Sequence, residues 1–340
     1  MKRSYRWALK IVQYAIGIAA LVWLVRQAEW GRVIGLIDKL DYITIVVILA
    51  ATVAETLFRF SMWHVLLNGL RSTPFSIAAR STLIINFVNQ ILPSRISGRS
   101  IAPVVLRHYT QYDWSEVVTV AGLHTALYAI LNGLIALLGL VLFAHVFSPG
   151  LIAVLGGSTA LYLVVGFLTI VAAQRLDGMA AVAVRARELF GRIPFIETAI
   201  GAFMGKLPTF SEGVADTFKN LLSNYRVVSL YTAGWIASRM LFPGLRAWVL
   251  LTALDVEFSP LLLPVVLVTA YSVTLLPLTP GGIGVAEASA TLVFTALGIP
   301  AAIITPVILV DRFLGVYLPS LAGWYPVTRI DLSGLATGEK

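Results

Sequence analysis

The chain contains no cysteine and has few charged residues for its length. Without cysteine there can be no disulfide, no cysteine-ligated zinc and no thiol catalysis. Charged residues make up 12% of the sequence and hydrophobic residues 58%, whereas a soluble domain carries about 25% charged residues. So few charges cannot cover a soluble surface. The composition therefore predicts an integral membrane protein.

Nucleotide and metal motifs are also missing. The run Gly281, Gly282, Ile283, Gly284 has no strand before it and no Lys-Ser after it, so it is neither a Walker nor a dinucleotide motif. The four histidines do not have metal-site spacing. We expect no cofactor and no metal, and transport that is passive or driven by gradients. The net charge of +8 fits cytoplasmic loops and anionic lipid, and nucleic acid is not an expected partner.

Apolar runs of about 20 residues, the length of a helix that crosses a roughly 30 Å hydrocarbon core, dominate the chain. The first run, 8–25, follows a basic N-terminus and has no cleavage site after it, so we expect a retained first helix. The predicted fold class is an all-α polytopic transmembrane bundle. The other runs are 42–67, 75–112, 117–147, 151–173, 227–254, 261–298 and 300–325.

Two runs, 75–112 and 261–298, are too long for one crossing, and each is broken by proline and glycine, at 92–98 and 276–284. If each is a re-entrant hairpin, the chain has six crossings and two hairpins that enter from opposite sides. If proline and glycine only kink them, it has eight crossings. In both cases the two termini face the cytoplasm. Paired breaks in two halves predict an inverted repeat with a binding site near the membrane midplane.

The polar stretch 174–226 divides the chain into an N-terminal half, 1–173, and a C-terminal half, 227–340. It is rich in arginine and lysine, which predicts a cytoplasmic position. Its apolar residues recur at helical spacing, which predicts an amphipathic helix at the membrane surface. These residues are Phe203, Leu207, Phe210, Val214, Phe218 and Leu221.

Ionisable residues inside apolar segments are costly and often mark function. Seven of the ten are arginine, which binds phosphate with two hydrogen bonds and stays charged in a low dielectric. The positive excess predicts an anionic lipid headgroup as partner. Glu55 and Arg59 are spaced to pair on one helix face, and Pro243 with Gly244 predicts another helix break. The ten are Glu55, Arg59, Arg80, Arg95, Arg99, Arg239, Arg246, Glu287, Asp311 and Arg312.

The segment 276–287, Leu-Pro-Leu-Thr-Pro-Gly-Gly-Ile-Gly-Val-Ala-Glu, resembles the C-terminal signature of the lysylphosphatidylglycerol synthase/flippase membrane region. Arg312 matches the arginine that follows in the family's final helix. Leu92, Pro93, Gly98 and Arg99 resemble the N-terminal signature, with Arg99 where the family has glutamate. The resemblance implies movement of lipids between leaflets of the cell membrane, including aminoacylated phosphatidylglycerol or polyprenyl-linked lipids. It also implies a membrane domain alone, without the soluble aminoacyl-transferase domain.

We therefore predict a lipid flippase whose substrate site forms where the two broken segments meet. Asp311 and Arg312 should point to different faces, with Arg312 reaching the second hairpin. Whether copies of the chain form a homo-oligomer is left open. The predicted substrate-binding residues are Asn89, Arg95, Arg99, Arg239, Pro280, Gly281, Gly282, Gly284, Glu287 and Arg312.

Two enzyme classes are alternatives to transport. The run 93–100 is superficially similar to the Pro-Gly-x-Ser-Arg-Ser loop of undecaprenyl-pyrophosphate phosphatases, but the first half lacks the glutamate pair that such chemistry uses. A membrane glycosyltransferase needs a tight acidic pair for a metal, and Glu29, Asp38 and Asp41 do not form one. We therefore expect no enzymatic activity.

Overall fold

The computed structural model describes Gly35 and residues 40–91, 101–174, 213–276 and 278–327. These residues form helices and loops, with no strand among them, which confirms the predicted all-α fold. The α-helices are α1 (Tyr42–Asn68), α2 (Phe75–Ile91), α3 (Ala102–Thr110), α4 (Trp114–Phe143), α5 (Pro149–Gln174), α6 (213–223), α7 (Tyr225–Ile236), α8 (Phe242–Thr252), α9 (Leu263–Tyr271), α10 (Val285–Ala296), α11 (Ala301–Arg312), α12 (Leu318–Ala322) and α13 (Trp324–Val327).

Four helical stretches are long and apolar enough to cross a membrane: Tyr42–Asn68, Trp114–Phe143, Pro149–Ala173 and Ala301–Val327. Their outward faces carry large apolar side chains, such as Val141 at 71% exposure and Phe167 at 65%. Contiguous exposed apolar surface of this kind suits lipid rather than water. The crossing predicted at 8–25 lies outside the described residues.

Helix α1 runs antiparallel to the helical stretch that contains α7 and α8. The Cα of Gly69, just after α1, faces Val227 near the start of α7, and Gly234 faces Met62. At the other end, Arg246 of α8 donates to Thr52. We call the two ends of the bundle the Gly69 end and the Asp41 end, because Gly69 and Asp41 flank α1.

The first broken segment is a hairpin with both ends at the Gly69 end. The residues just before and after it touch, because Thr73 Oγ1 and Tyr112 Oη are 2.7 Å apart. Arg71 also donates to Glu116 over 2.7 Å. Helices α2 and α3 pack against each other between these contacts. The segment 75–112 therefore returns to the end from which it started, while its break at 92–100 lies outside the described residues.

The second broken segment returns to the opposite end. Helix α9 passes into a 3₁₀ turn, Ser272–Leu275, and α10 comes back beside it. The Phe258 ring, before the segment, lies 5.9 Å from the Phe294 ring near the end of α10. Because Phe258 follows α8, this hairpin has its base at the Asp41 end. The two hairpins thus enter from opposite ends, and a repeat relation between the two halves stays a prediction.

The tip of the second hairpin meets the end of α2 inside the bundle. Gly281 has φ of 61°, and a Cβ added there would lie 2.1 Å from Gln90 Oε1 at the end of α2. This position favours glycine, because its backbone is in the left-handed region and an added Cβ would displace the Gln90 side chain. Contact with α2 lets freed backbone groups of the second break face protein rather than lipid.

The break predicted at Pro243 and Gly244 is wrong. A π-helical segment, Ala237–Leu241, joins α7 to α8 without interruption, and a second one, Phe313–Tyr317, joins α11 to α12. Each is followed two residues later by a proline, Pro243 or Pro319. A proline ring clashes with the carbonyl four residues before it and cannot donate a hydrogen bond. The wider π turn accommodates the proline while the helix continues.

Of the polar stretch 174–226, the described residues are Gln174, at the end of α5, and 213–226, which form α6 and the start of α7. There the apolar stripe packs on protein, since Val214, Phe218 and Leu221 are all buried. Phe218 and Leu221 join the apolar cluster around Trp63 and Leu66 near the Gly69 end. The other predicted stripe residues lie outside the described part, and the division of the chain into two halves and a linker stays a prediction.

Candidate functional site

A buried network of charges joins the two halves of the chain through Glu55 of α1. One Glu55 oxygen accepts from Arg59, which confirms the predicted pair. The other accepts from Arg246 Nη1 over 2.8 Å. Arg246 also donates through Nε to Asp311 Oδ1 over 2.8 Å, and Tyr271 donates to Asp311 Oδ2 over 2.9 Å. The partners of Arg246 come from α1 and α11.

The second π segment fits closely over this network. Arg59 Nη2 donates to the carbonyl of Gly315 over 2.9 Å. A Cβ on Gly315 would lie 2.6 Å from Arg246 Nη2 and 3.0 Å from Glu55 Oε2. Gly315 is therefore a close-approach glycine, whose missing side chain lets the helix backbone reach the ion pairs.

Arg312 belongs to a separate pair on the second hairpin. Its Nε donates to Glu287 Oε1 over 2.7 Å, and Tyr317 donates to the same oxygen. The other oxygen, Oε2, accepts from the backbone N–H of Gly284 over 2.7 Å, which caps α10. The adjacent residues Asp311 and Arg312 thus have different partners, and Arg312 does reach the second hairpin, as the sequence predicted.

A polar cavity of about 80 Å³ lies between the first hairpin and the π segments. A cavity needs about 10–15 Å³ of such space to hold one water, so this one has room for several waters or a small polar group. Its polar lining comes from five elements: α1, α2, α4, the first π segment and α12. These residues are Arg59, Thr82, Asn86, Asn89, Gln90, His124, Tyr128, Arg239 and Ser320.

Arg239, in the first π segment, lines this cavity and has no acidic partner among the described residues. Within the described part of the chain it forms neither a hydrogen bond nor an ion pair, and its Nε is buried and unsatisfied. The ring centre of Tyr128 is 5.8 Å from its guanidinium carbon. Arg239 also borders a smaller cavity of about 20 Å³ beside Arg246 and Arg312.

Three amide groups of α2 also lack partners in the cavity. Asn86 Nδ2, Asn89 Oδ1 and Gln90 Oε1 are buried and form no hydrogen bond with any described residue. Buried polar atoms are nearly always satisfied in native proteins. The cavity is thus lined by hydrogen-bonding groups that water or a polar ligand can satisfy.

The charges around the two cavities do not cancel. Four arginines (59, 239, 246 and 312) face three acids (55, 287 and 311). All three acids are held by arginine or tyrosine. One positive charge, that of Arg239, is left over. The arrangement can bind an anion and has no free carboxylate among the described residues to repel one.

The cavity lies deep in the bundle. Arg59 and His124 are about 15 Å along α1 and α4 from the Gly69 end, at 1.5 Å per residue. That depth is about half of a roughly 30 Å hydrocarbon core.

Residues 10–323 match the family described as the lysylphosphatidylglycerol synthase TM region. The chain belongs to this family. Comparison with curated proteins and with solved structures finds no match. The protein is therefore a membrane protein with the lipid-related transmembrane domain of the lysylphosphatidylglycerol synthase family.

The predicted substrate residues of this lysylphosphatidylglycerol synthase TM region fall into three groups. Asn89 and Arg239 line the polar cavity. The loop with Pro280, Gly281, Gly282 and Gly284 forms the tip of the second hairpin, and Gly284 binds the Glu287 of the Arg312 pair. Arg95 and Arg99 lie outside the described residues. A substrate-binding role for all of them stays a prediction.

Of the residues of α2 that line the cavity, Asn89 is a predicted substrate residue, Asn86 and Gln90 could supply neutral hydrogen bonds before the first break, and Thr82 was not predicted. Thr82, Asn86, Asn89 and Gln90 form a polar stripe at helical spacing on an otherwise apolar helix, and this periodicity is visible in the sequence. His124 joins helices by stacking on Trp63, with ring centres 4.0 Å apart, and by a hydrogen bond with Tyr231, and it also faces the cavity.

Proposed function

We propose that this protein is a lipid transporter that binds the anionic headgroup of a membrane lipid at Arg239 and moves the lipid between leaflets. The observation that carries the proposal is an arginine without an acidic partner, deep in the bundle and facing a polar cavity. A buried charge without a partner costs several kcal/mol. A lipid phosphate would remove that cost, and arginine is well suited to phosphate.

The position of the cavity supports translocation rather than binding at one membrane surface. It lies near mid-depth, beside the end of α2 where the tip of the second hairpin contacts the first hairpin. Only the headgroup of a lipid needs a polar path, because the acyl chains can stay in the bilayer. Binding sites of transporters commonly lie at such discontinuous segments. The proposed partner is thus a membrane lipid, and neither nucleic acid nor nucleotide enters the proposal.

Charge asymmetry supports an orientation in the cell membrane. Described arginine and lysine residues gather at the Gly69 end, together with the acids Asp113, Glu116 and Asp216, whereas the described part of the Asp41 end has acids but neither arginine nor lysine. The stretch 175–212 leaves α5 and returns to α6 at the Gly69 end, and it is rich in arginine. By the positive-inside rule the Gly69 end is cytoplasmic, which agrees with cytoplasmic termini. The residues compared are Arg71, Arg107, Lys219 and Arg226 at one end and Asp41, Asp255 and Glu257 at the other.

The alternative, a lipid-pyrophosphate phosphatase, has less support. Such chemistry needs a carboxylate free to act as a base near a nucleophile. In the described part of the network, Glu55, Glu287 and Asp311 all have arginine partners. We therefore propose that the protein is not an enzyme. Phosphate release from a polyprenyl pyrophosphate, lost in Ser94→Ala or Ser97→Ala, would support the alternative.

Transport can be tested with purified protein in vesicles that contain a fluorescent phospholipid, by adding a membrane-impermeant quencher. We expect Arg239→Gln to slow the exposure of inner-leaflet lipid about tenfold or more, since one charged hydrogen-bonding group is worth at least that factor. Arg226→Gln, at an exposed arginine of the Gly69 end, is the matched control and should retain the wild-type rate. Wild-type transport by folded Arg239→Gln protein would refute the proposal.

A further inference from the structure

The amide groups of α2 indicate what kind of headgroup the cavity accepts, given the proposed function at Arg239. A phosphate offers only hydrogen-bond acceptors. Arg239 and Asn86 Nδ2 can donate to it, but Asn89 Oδ1 and Gln90 Oε1 are themselves acceptors without a partner. These two oxygens need donors that a phosphate does not have. The opposite amide orientation would place N–H donors at these two positions, which a phosphate alone could satisfy, so the selectivity depends on the two oxygens as they are placed.

Two functional groups of a lipid headgroup could supply those donors: a hydroxyl or an ammonium. The described lining of the cavity contains two arginines, Arg59 and Arg239, and no carboxylate. The nearest acids are not available to an ammonium, because both oxygens of Glu55 bind arginines and both oxygens of Glu287 are occupied on the second hairpin. Like charges at short range repel strongly in a low dielectric. A hydroxyl meets the acceptors without that repulsion.

We propose that the cavity selects lipids whose headgroup combines a phosphate with neutral hydroxyl groups, and that it discriminates against headgroups carrying an aminoacyl ammonium. The phosphate lies at Arg239, and the hydroxyls lie against Asn89 and Gln90. A glycerol, inositol or sugar headgroup has this chemistry. The family's name refers to a cationic lipid. We infer that such a lipid is not the preferred substrate of this chain.

Competition binding with three lipids of identical acyl chains tests the selectivity. A fluorescent phosphatidylglycerol is bound to the purified full chain in micelles and displaced by unlabelled phosphatidylglycerol, lysyl-phosphatidylglycerol or phosphatidylpropanol. Phosphatidylpropanol keeps the single negative charge and the three carbons but lacks the hydroxyls. We expect phosphatidylglycerol to compete about tenfold better than either of the others. A buried polar group that is left without a hydrogen bond lowers the binding affinity by about that factor.

Three variants locate the selectivity within the cavity. Asn89→Asp has the same shape and adds a carboxylate, so it should move the preference about tenfold toward lysyl-phosphatidylglycerol. Asn224→Asp, at an exposed helix cap where either residue is accepted, is the matched control and should not change it. Asn89→Leu removes the acceptor and should erase the advantage of phosphatidylglycerol over phosphatidylpropanol, while phosphatidylpropanol still competes.

The outcomes separate this inference from the proposed function. If Arg239→Gln lowers the affinity for every lipid but the wild type binds lysyl-phosphatidylglycerol as well as phosphatidylglycerol, the selectivity is refuted and the anion site stands. If Asn89→Asp leaves the preference unchanged, the selectivity does not arise in this cavity and the inference fails. If Arg239→Gln alters no affinity, the anion site itself is refuted.

Discussion

Arg239 and Arg246 lie two helical turns apart on one continuous helix, yet their electrostatic surroundings are opposite. Arg246 is almost fully buried and binds two carboxylates, those of Glu55 and Asp311. Arg239 faces a cavity and binds no described acid. Removing one partner of a buried ion pair leaves an uncompensated charge, whereas removing an unpaired charge relieves a cost. The two arginines should therefore respond oppositely to the same substitution.

We predict that Arg246→Gln lowers the free energy of unfolding by about 3–5 kcal/mol, because two carboxylates lose their cation. Arg239→Gln should leave stability unchanged or raise it while transport is lost. Denaturant titration in mixed micelles, followed by helical circular dichroism, measures both. A loss of stability in Arg239→Gln as large as that in Arg246→Gln would show that Arg239 serves the fold rather than a ligand.

A second prediction concerns Gly315. An alanine methyl there overlaps Arg246 Nη2, which cannot retreat because two acids hold it. Overpacking of this kind costs about 1–3 kcal/mol, so Gly315→Ala should unfold at lower denaturant concentration. Gly156→Ala in α5, where a Cβ meets nothing within 4 Å, is the control. It should be neutral or slightly stabilising, because alanine favours helix. Equal stability of the two variants would contradict the close approach.

At the scale of helices and hairpins, proline and glycine in the sequence predict where a helix can break, but not whether it does break. Proline and glycine at 276–284 predicted the second break, and the structure has a non-α loop there. Pro243 and Gly244 carry the same signal but sit in a continuous helix with a π turn. A tertiary contact distinguishes the two sites. Gly244 packs directly against Pro264 of α9, and a Cβ added to Gly244 would lie 2.8 Å from the Pro264 ring. Local composition does not contain that contact.

The hairpin topology gives a third prediction, which uses the absence of native cysteine. Single cysteines at Ser72 and Gln111, on either side of the first hairpin, should be labelled from the same side of the membrane. Cysteines at Ser259 and Pro300, around the second hairpin, should be labelled from the other side. All four positions are exposed. An impermeant maleimide applied to intact cells should reach only positions 259 and 300. Labelling of 72 and 111 from opposite sides would mean that the first segment crosses.

The residue types of the site could be predicted from the sequence, but which arginine pairs with which acid could not. Arginines, an amide stripe and a glycine-rich break are all visible in the sequence. The sequence does not say which arginine is left without an acid, because pairing depends on contacts between distant residues. Arg246 finds Glu55 191 positions away and Asp311 65 positions away. Only the near pair, Glu55 with Arg59, follows from helical spacing.

At the scale of the whole molecule, a polar layer lies between two apolar clusters. One cluster, around Trp63 and Tyr231, is near the Gly69 end, and the other, around Leu250 and Ile304, is near the Asp41 end. The charges that join the halves and the Arg239 cavity lie between them. A headgroup that crosses the membrane meets its greatest electrostatic cost at mid-depth. A positive site at that depth lowers the cost for an anionic lipid.

The central claim is that Arg239 is the protein's contact with a lipid phosphate. The most direct test is an experimental structure of the full chain in nanodiscs that contain phosphatidylglycerol. We expect density for a phosphate within about 3 Å of the Arg239 guanidinium, the length of a charge-assisted hydrogen bond, inside the cavity lined by Asn89 and Gln90. An Arg239 side chain paired with a protein carboxylate, with no phosphate in the cavity, would contradict the account.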